Sequence, residues 1–379
     1  MSRFDRLIDR HNTGANKWSR YGADVLPLWV ADMDFAAPDC VVQALAERAA
    51  HPVYGYAFAT EELRETIVRD LARRHDWHIS PEEIVFLPGV EPGFNMALSA
   101  FLKPGDGVAV HTPAFRPMRR ATDVWDLRFL AMPLALDGAR WLADDRRQKR
   151  AMAEARALLL CNPHNPTGKV FSRAELELLA QQALASDTLI ISDEIHADLL
   201  LEQGTRHTPI ASLSPEVARR TITLMSPGKT FNISGLRTGF ALVSDPRLRA
   251  RFDAQRLGMV DSVNTFGLVA MQAAYAHGHA WLAELLAYLR GNRDWLMQAV
   301  ADRLSGITMA APEATYLAWL DCRGAGIAGS AQAHFLEKSR VALTPGEDFA
   351  DPGEGFVRLN FACPRSLLEQ AIERMAASL

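Results

Sequence analysis

Between about residue 60 and residue 280 the chain alternates short apolar strands with amphipathic helices, and this alternation limits the fold more than any other feature. The strand-like runs are Ile84-Val-Phe-Leu87, Gly107-Val-Ala-Val-His111, Ala157-Leu-Leu-Leu-Cys161, Leu189-Ile-Ile-Ser192 and Thr221-Ile-Thr-Leu-Met225. Runs that are apolar throughout, rather than alternating with polar residues, suit strands buried on both faces. Helix starts stand between them: Ser80-Pro-Glu-Glu83 and Ser172-Arg-Ala-Glu175 each have a serine followed three residues later by glutamate, the pattern of a capping box. The arrangement predicts an α/β fold with a mostly parallel central sheet covered by helices on both faces. In such a fold the carboxyl ends of the strands form the ligand crevice, so polar residues just after each run are the first candidates for function.

After residue 280 the pattern changes. Trp281 to about Leu304 reads as one long helix, followed by a strand-like Tyr316-Leu-Ala-Trp-Leu320, a helix near 331–339 and a strand Gly355-Phe-Val-Arg-Leu-Asn360. Ser366-Leu-Leu-Glu369 reads as the cap of a terminal helix. With 379 residues, two domains are expected: a large one over 46–280, and a smaller α+β one built from 1–45 and 281–379. Spans 201–216, 321–330 and 344–355 read as loops, and neither internal repeats nor low-complexity tracts are present.

A net charge of −4 without a basic stripe, and tryptophans such as Trp18, Trp29 and Trp77 that do not interleave with basic residues, argue against nucleic acid. No run approaches eighteen apolar residues, so no membrane span is expected. The charged start, Met1 to His11, lacks the apolar stretch of a signal peptide. Cys40, Cys161, Cys322 and Cys363 are scattered, which suits a reducing cytoplasm. His75-x-x-His78 and His277-Gly-His279 have metal-like spacing but no cysteine beside them in sequence, and read as surface or core histidines.

Two residues in the crevice carry the chemistry. Asp193 closes the run that begins at Leu189, and Lys229 follows Thr221–Met225 after a Ser-Pro-Gly turn. A lysine there can form a Schiff base with an aldehyde cofactor, and a buried aspartate can keep a pyridine nitrogen protonated. The pair is the minimal equipment of a pyridoxal phosphate enzyme. A phosphate needs N–H donors at a helix start, and Gly89-Val-Glu91 supply that shape, although a carboxylate at Glu91 suits a phosphate only if it points away. Ser226 and Arg237 add two phosphate candidates. Asn165 lies in Asn162-Pro-His-Asn-Pro-Thr-Gly168, readable either as a tight turn or as a ligand of the ring oxygen and substrate carboxylate. Phe115 offers a face for ring stacking or simple packing, and Tyr54 and Tyr56 offer phenols for packing or phosphate. Arg358, mid-strand among apolar neighbours, needs a carboxylate or solvent, and a substrate carboxylate would satisfy it.

Asn165-Pro-Thr-Gly168, Ser192-Asp-Glu194 and Ser226-x-x-Lys229 with Arg237 resemble the aminotransferase class I/II family of fold type I pyridoxal phosphate enzymes. Within it, Trp29-Val-Ala-Asp-Met-Asp-Phe35, Cys161 to Lys169, Ser192-Asp-Glu-Ile-His196 and Phe356 to Arg365 resemble the MalY/PatB branch of cystathionine β-lyases and related C–S lyases. The resemblance implies that Lys229 bears the cofactor pyridoxal 5'-phosphate and Asp193 pairs with its ring nitrogen. Asn165 would contact the ring hydroxyl with His196 nearby, and Gly89, Val90, Glu91, Ser226 and Arg237 would surround the phosphate. Phe115 would stack on the ring. Arg358, Asn165, Ala31 and Asp32 would meet the substrate. Tyr56 would reach the phosphate of the neighbouring subunit, which implies a homodimer. The chain departs from the branch at Phe115, where tyrosine is usual, at Gly228, where serine is common, and at Gly235-Leu-Arg237-Thr-Gly239, which is closer to the general aminotransferases.

The function this implies is cleavage of an L-cysteine thioether such as cystathionine to a thiol, pyruvate and ammonia, with Lys229 as the base at Cα. That role needs a neutral amine, so a depressed pKa is expected from the electropositive, partly desolvated site with Arg237 near. Two alternatives stand beside it: an aminotransferase using the same residues with a 2-oxo acid, and a non-catalytic regulator binding a ligand on this scaffold.

Overall fold

The computed structural model describes residues 2–349 and 353–379, so positions 350–352 of the expected 344–355 loop lie outside the described residues. Eight strands form the large sheet: β1 (Ile84–Leu87), β2 (Gly107–Thr112), β3 (Arg128–Asp137), β4 (Arg140–Ala143), β5 (Ala155–Cys161), β6 (Leu189–Asp193), β7 (Thr221–Met225) and β8 (Gly239–Leu242). Their spatial order is β1-β8-β7-β6-β5-β2-β3-β4. The central run from β7 through β3 is parallel, whereas β8 is antiparallel to both neighbours and β4 closes the far edge as a hairpin.

Side-chain alternation explains why the central strands are apolar throughout. In β5, Ala157, Leu159 and Cys161 enter one core while Leu158 and Leu160 enter the other. Both faces are therefore dry. Burying a leucine contributes about 1.5–3 kcal/mol, so such a strand stabilises two layers at once. One layer contains α3 (Val90–Phe101); the other contains α4 (Arg173–Ala185). Both expected capping boxes form, at Ser172/Glu175 and, on a short 3₁₀ turn, at Ser80/Glu83.

A four-stranded antiparallel sheet, β9 (Thr308–Met309), β10 (Leu317–Asp321), β11 (Thr344–Pro345) and β12 (Phe356–Asn360), runs in the order β9-β10-β12-β11. It packs with α6 (His279–Arg303) and α7 (Arg365–Ala376) in a core that also takes in Phe4, Leu28 and Met33. Leu26–Pro27 pairs in parallel with Val341–Ala342, which ties the N-terminal segment to this end of the chain. Three expectations need correction. Within the span 344–355 read as a loop, Thr344–Pro345 forms β11 and Gly346–Phe349 a 3₁₀ turn. Ser366 does not cap α7; the helix begins at Arg365 after Pro364, with no side-chain cap bond, because proline fixes the entry and places Ser366 already inside the first turn. The 201–216 span also contains a 3₁₀ turn at Ile210–Ser212, whose first N–H is held by the buried Glu194 carboxylate.

Candidate active site

Asp193 ends β6 and pairs in register with Cys161 on β5 and Leu224 on β7, at the carboxyl edge of the sheet. Lys229 stands on the same edge, on a single helical turn, Pro227–Thr230. Ser226 shapes that turn: its hydroxyl accepts from the Gly228 N–H at 2.9 Å and donates to the Thr238 carbonyl at 2.6 Å. Both residues line a cavity of about 180 Å³, together with Gly89, Val90, Glu91, Phe115, Asn165, His196, Ser226, Arg237 and Ala31. The structure thus brings together most of the residues singled out from sequence. Tyr56 does not line this cavity; it is fully exposed in an extended stretch before α2 (Glu61–His75). Asp32 lies just outside, ion-paired with Arg10 at 2.8 Å, and its charge reaches Lys229.

The electrostatics follow from burial. Desolvation lowers the Lys229 amine from 10.5 to about 8; Asp32 and Asp193 oppose the shift, and Arg358 and Arg237 add to it. The expected depression is present, but its main cause is loss of water, with Arg237 the smallest contributor. Desolvation also raises Asp193 to about 7, aided by Glu194 and opposed by its hydrogen bond from the Ile195 N–H (3.1 Å) and by Lys229. His196 is pushed down to about 3 by burial and by the cations Lys229 and Arg358, so it is neutral, and its Nδ1 is buried without a partner.

One side of the cavity is built to receive an anion. Val90 and Glu91 open the twelve-residue α3 after Gly89, and no side chain caps its start; Pro92, the third helical residue, has no N–H to offer. Glu91 is exposed, as a carboxylate at that helix start requires. The Arg237 guanidinium has no hydrogen-bond or ion-pair partner among the described residues, and the Thr238 hydroxyl is buried without one. The Ser226 hydrogen is already committed to Thr238, so the open donors here are the helix start, Arg237 and Thr238. Thr238 carried no signal in the sequence beyond following Arg237.

Arg358 is not among the lining residues, but it forms a fork beside the cavity that reaches Asn165. Arg358 on β12 donates to Asn165 Oδ1 at 3.1 Å, to the Trp29 carbonyl at 3.0 Å and to Thr344 Oγ1 at 3.2 Å, and lies over the Phe349 ring. Its Nε is buried without a partner among the described residues. Burial lowers it to about 10, yet it stays a cation at neutral pH. Lys229 Nζ donates to the Ala31 carbonyl at 2.5 Å, and Tyr316 donates to the same oxygen at 3.0 Å. Tyr316 was legible only as the start of a strand. The histidine pairs behave differently from their sequence context: His75 faces Asp198, and His279 faces Asp70, but both carboxylates also meet Arg74.

A mostly parallel sheet with a lysine and an aspartate at its carboxyl edge, a bare helix start opposite and a smaller α+β sheet closing the crevice define a class, the fold type I pyridoxal phosphate enzymes. The chain belongs to the class I and II aminotransferase family, whose model matches residues 23–375. It is 37% identical to the cystathionine beta-lyase PatB of Bacillus subtilis, over 99% of each chain. Among solved structures it is similar to OvoB (TM-score 0.95, 44% identity, covering 99% of this chain and 98% of that one). It is also similar to the PLP-bound C-S lyase of Staphylococcus hominis (TM-score 0.93, 30% identity, covering 100% and 98%).

Proposed function

We propose that this protein is a pyridoxal phosphate-dependent C–S β-lyase that cleaves L-cysteine thioethers, cystathionine being the type substrate, to a thiol, pyruvate and ammonia. The observation that carries the reading is the pair that lines one cavity at the sheet edge, the Lys229 amine lowered to about 8 and the buried Asp193 carboxyl raised to about 7. The names of PatB and of the Staphylococcus hominis enzyme support the lyase chemistry.

The donor set fits the cofactor. Its phosphate would be held by the uncapped Gly89–Glu91 helix start, Arg237 and Thr238; its ring would lie against Phe115, with Asn165 at the ring hydroxyl and the unpaired His196 nearby. Bound there, pyridoxal phosphate supplies an aldehyde for an amine and a cationic ring that withdraws electrons from the substrate's Cα. Asp193 would hold the ring-nitrogen proton; buried beside a cation, its carboxyl would ionise. Arg358 would bind the substrate carboxylate with the donors it now gives Asn165 and Trp29, and Ala31 and Asp32 would border that site. Lys229 Nζ would take the Cα proton, and the thiolate would then depart from Cβ.

Tyr56 would act across a homodimer: it is fully exposed and flanked by exposed Val53, Tyr54 and Phe58, an apolar stretch that suits a second copy of the chain. The division into 46–280 and 1–45 with 281–379 accords with the large sheet lying within 84–242 and the small one within 308–360. A cytoplasmic setting accords with four unpaired cysteines. Purified protein with L-cystathionine and no added keto acid is expected to release pyruvate and homocysteine. A strict requirement for 2-oxoglutarate would instead identify an aminotransferase, and no turnover of either kind a ligand-binding regulator.

A further inference from the structure

The reaction above makes no use of Tyr316, a phenol with none of its surface exposed that touches the same oxygen as the reactive lysine. The oxygen is the Ala31 carbonyl. It accepts from Lys229 Nζ at 2.5 Å on one side and from the Tyr316 hydroxyl at 3.0 Å on the other. The carbonyl is not free to drift, because Asn360 Nδ2 grips the carbonyls on either side of it, Val30 and Asp32, at 2.6 Å each. Asn232 holds Met33 and Phe35 of the same segment, donating to both carbonyls and accepting from the Met33 N–H.

We propose that Tyr316 is a positioning residue for Lys229: by occupying one side of the Ala31 carbonyl, its hydroxyl limits how tightly that carbonyl can hold the ε-ammonium. Two donors on one acceptor compete, since each withdraws electron density from the oxygen the other needs. A carbonyl left to Lys229 alone would bind the charged amine more strongly and keep it protonated to higher pH. The other groups facing Lys229 are the carboxylates of Asp32 and Asp193, the cations of Arg358 and Arg237, and neutral His196. The proposal changes none of them. It rests on the reading of Lys229 as the reacting amine, but its test does not depend on which bond the enzyme cleaves.

The test is the pH dependence of Lys229 trinitrophenylation in the cofactor-free full chain, followed by peptide mapping, with exposed Lys103 in the same sample as the internal standard. Tyr316→Phe keeps the ring and removes only the hydroxyl. Its Lys229 midpoint is expected to rise by about half a pH unit while Lys103 stays put; an unmoved or lowered midpoint overturns the proposal. The acidic limb of kcat in the holoenzyme, which reports the substrate-bound enzyme in which Lys229 acts as the base, should move the same way, whereas a purely structural role would lower kcat equally at every pH. Should Tyr316→Phe not fold, Asn360→Ala reports on the same carbonyl with the opposite sign. Releasing the 30–32 segment should let the Lys229 midpoint fall, and a midpoint that stays or rises rejects the shared-carbonyl account.

Discussion

Two buried charged regions lie on either side of the segment from Trp29 to Phe35, and they are built on opposite plans. On the outer side Lys17, only 1% exposed, donates to Asp34 at 2.7 Å and to the Asp32 carbonyl at 3.1 Å. Arg10 bridges Asp32 and Asp34, and the Trp18 indole donates to Asp34 as well. Every charge there has a counter-charge within reach. On the inner side Lys229 and Asp193 are displaced toward neutrality, while His196 Nδ1 and Arg358 Nε have no partner among the described residues. The first region holds a strap in place; the second is left unsatisfied, the condition in which a group can still bind or exchange a proton. Buried charge therefore has two uses in this molecule, and the count of partners tells them apart.

The comparison breaks most decisively at Lys229. Lys229→Ala is expected to reduce pyruvate release from L-cystathionine by at least about 10²–10⁴-fold, the contribution of a positioned general base, without unfolding the chain; turnover within tenfold of the parent would remove Lys229 from the chemistry. The outer cluster should respond in the reverse sense. Asp34→Ala removes the carboxylate that Lys17 and Arg10 share and leaves both cations Asp32 alone, and urea unfolding should show a loss of about 3 kcal/mol. A loss below 1 kcal/mol would mean that the cluster does not anchor the strap. Arg358→Leu removes the fork for the carboxylate and is expected to raise KM by about ten- to a hundredfold, with a smaller change in kcat.

The pH response is a gentler probe. A base lowered to about 8 is neutral above that value and protonated below it, so activity limited by Lys229 should climb as pH rises through about 8. A profile flat from pH 6 to 9 would contradict this. The smallest effect is on stability. The carboxyl of Asp193 is raised in the folded state, so folding is penalised above about pH 7 and the penalty vanishes below its ordinary value of 3.8. Asp193→Asn should thus raise the thermal midpoint of the cofactor-free protein by a few degrees at pH 8, by roughly 2–4 °C, and leave it unchanged at pH 4. Activity should fall at the same time, the signature of a site that trades stability for function.

Much of this was readable along the chain. The strands of the central sheet, the helix start at Gly89 and the single-turn lysine at 229 are local patterns: apolar runs ended by polar or glycine residues. β3 and β4, at the far end of the sheet, carried no strand signal because half-exposed strands lose the continuous apolar run that marks buried ones. The Asn165–Arg358 hydrogen bond spans 193 residues, and neither half announces the other. The histidines with metal-like spacing, read as surface or core residues, show the same limit: the carboxylates that meet His75 and His279 come from elsewhere in the chain.

From its own order of residues the chain determined a doubly covered sheet with an amine and an acid on its functional edge, because strand period and loop chemistry are properties of neighbouring residues. Only the tertiary structure decided that the amine would rest on a carbonyl 198 positions away, and that a fully buried tyrosine 285 positions from that carbonyl would share it. The shifts that make the site reactive come from the water excluded when those distant segments pack together, and exclusion of water is a property of the assembled fold.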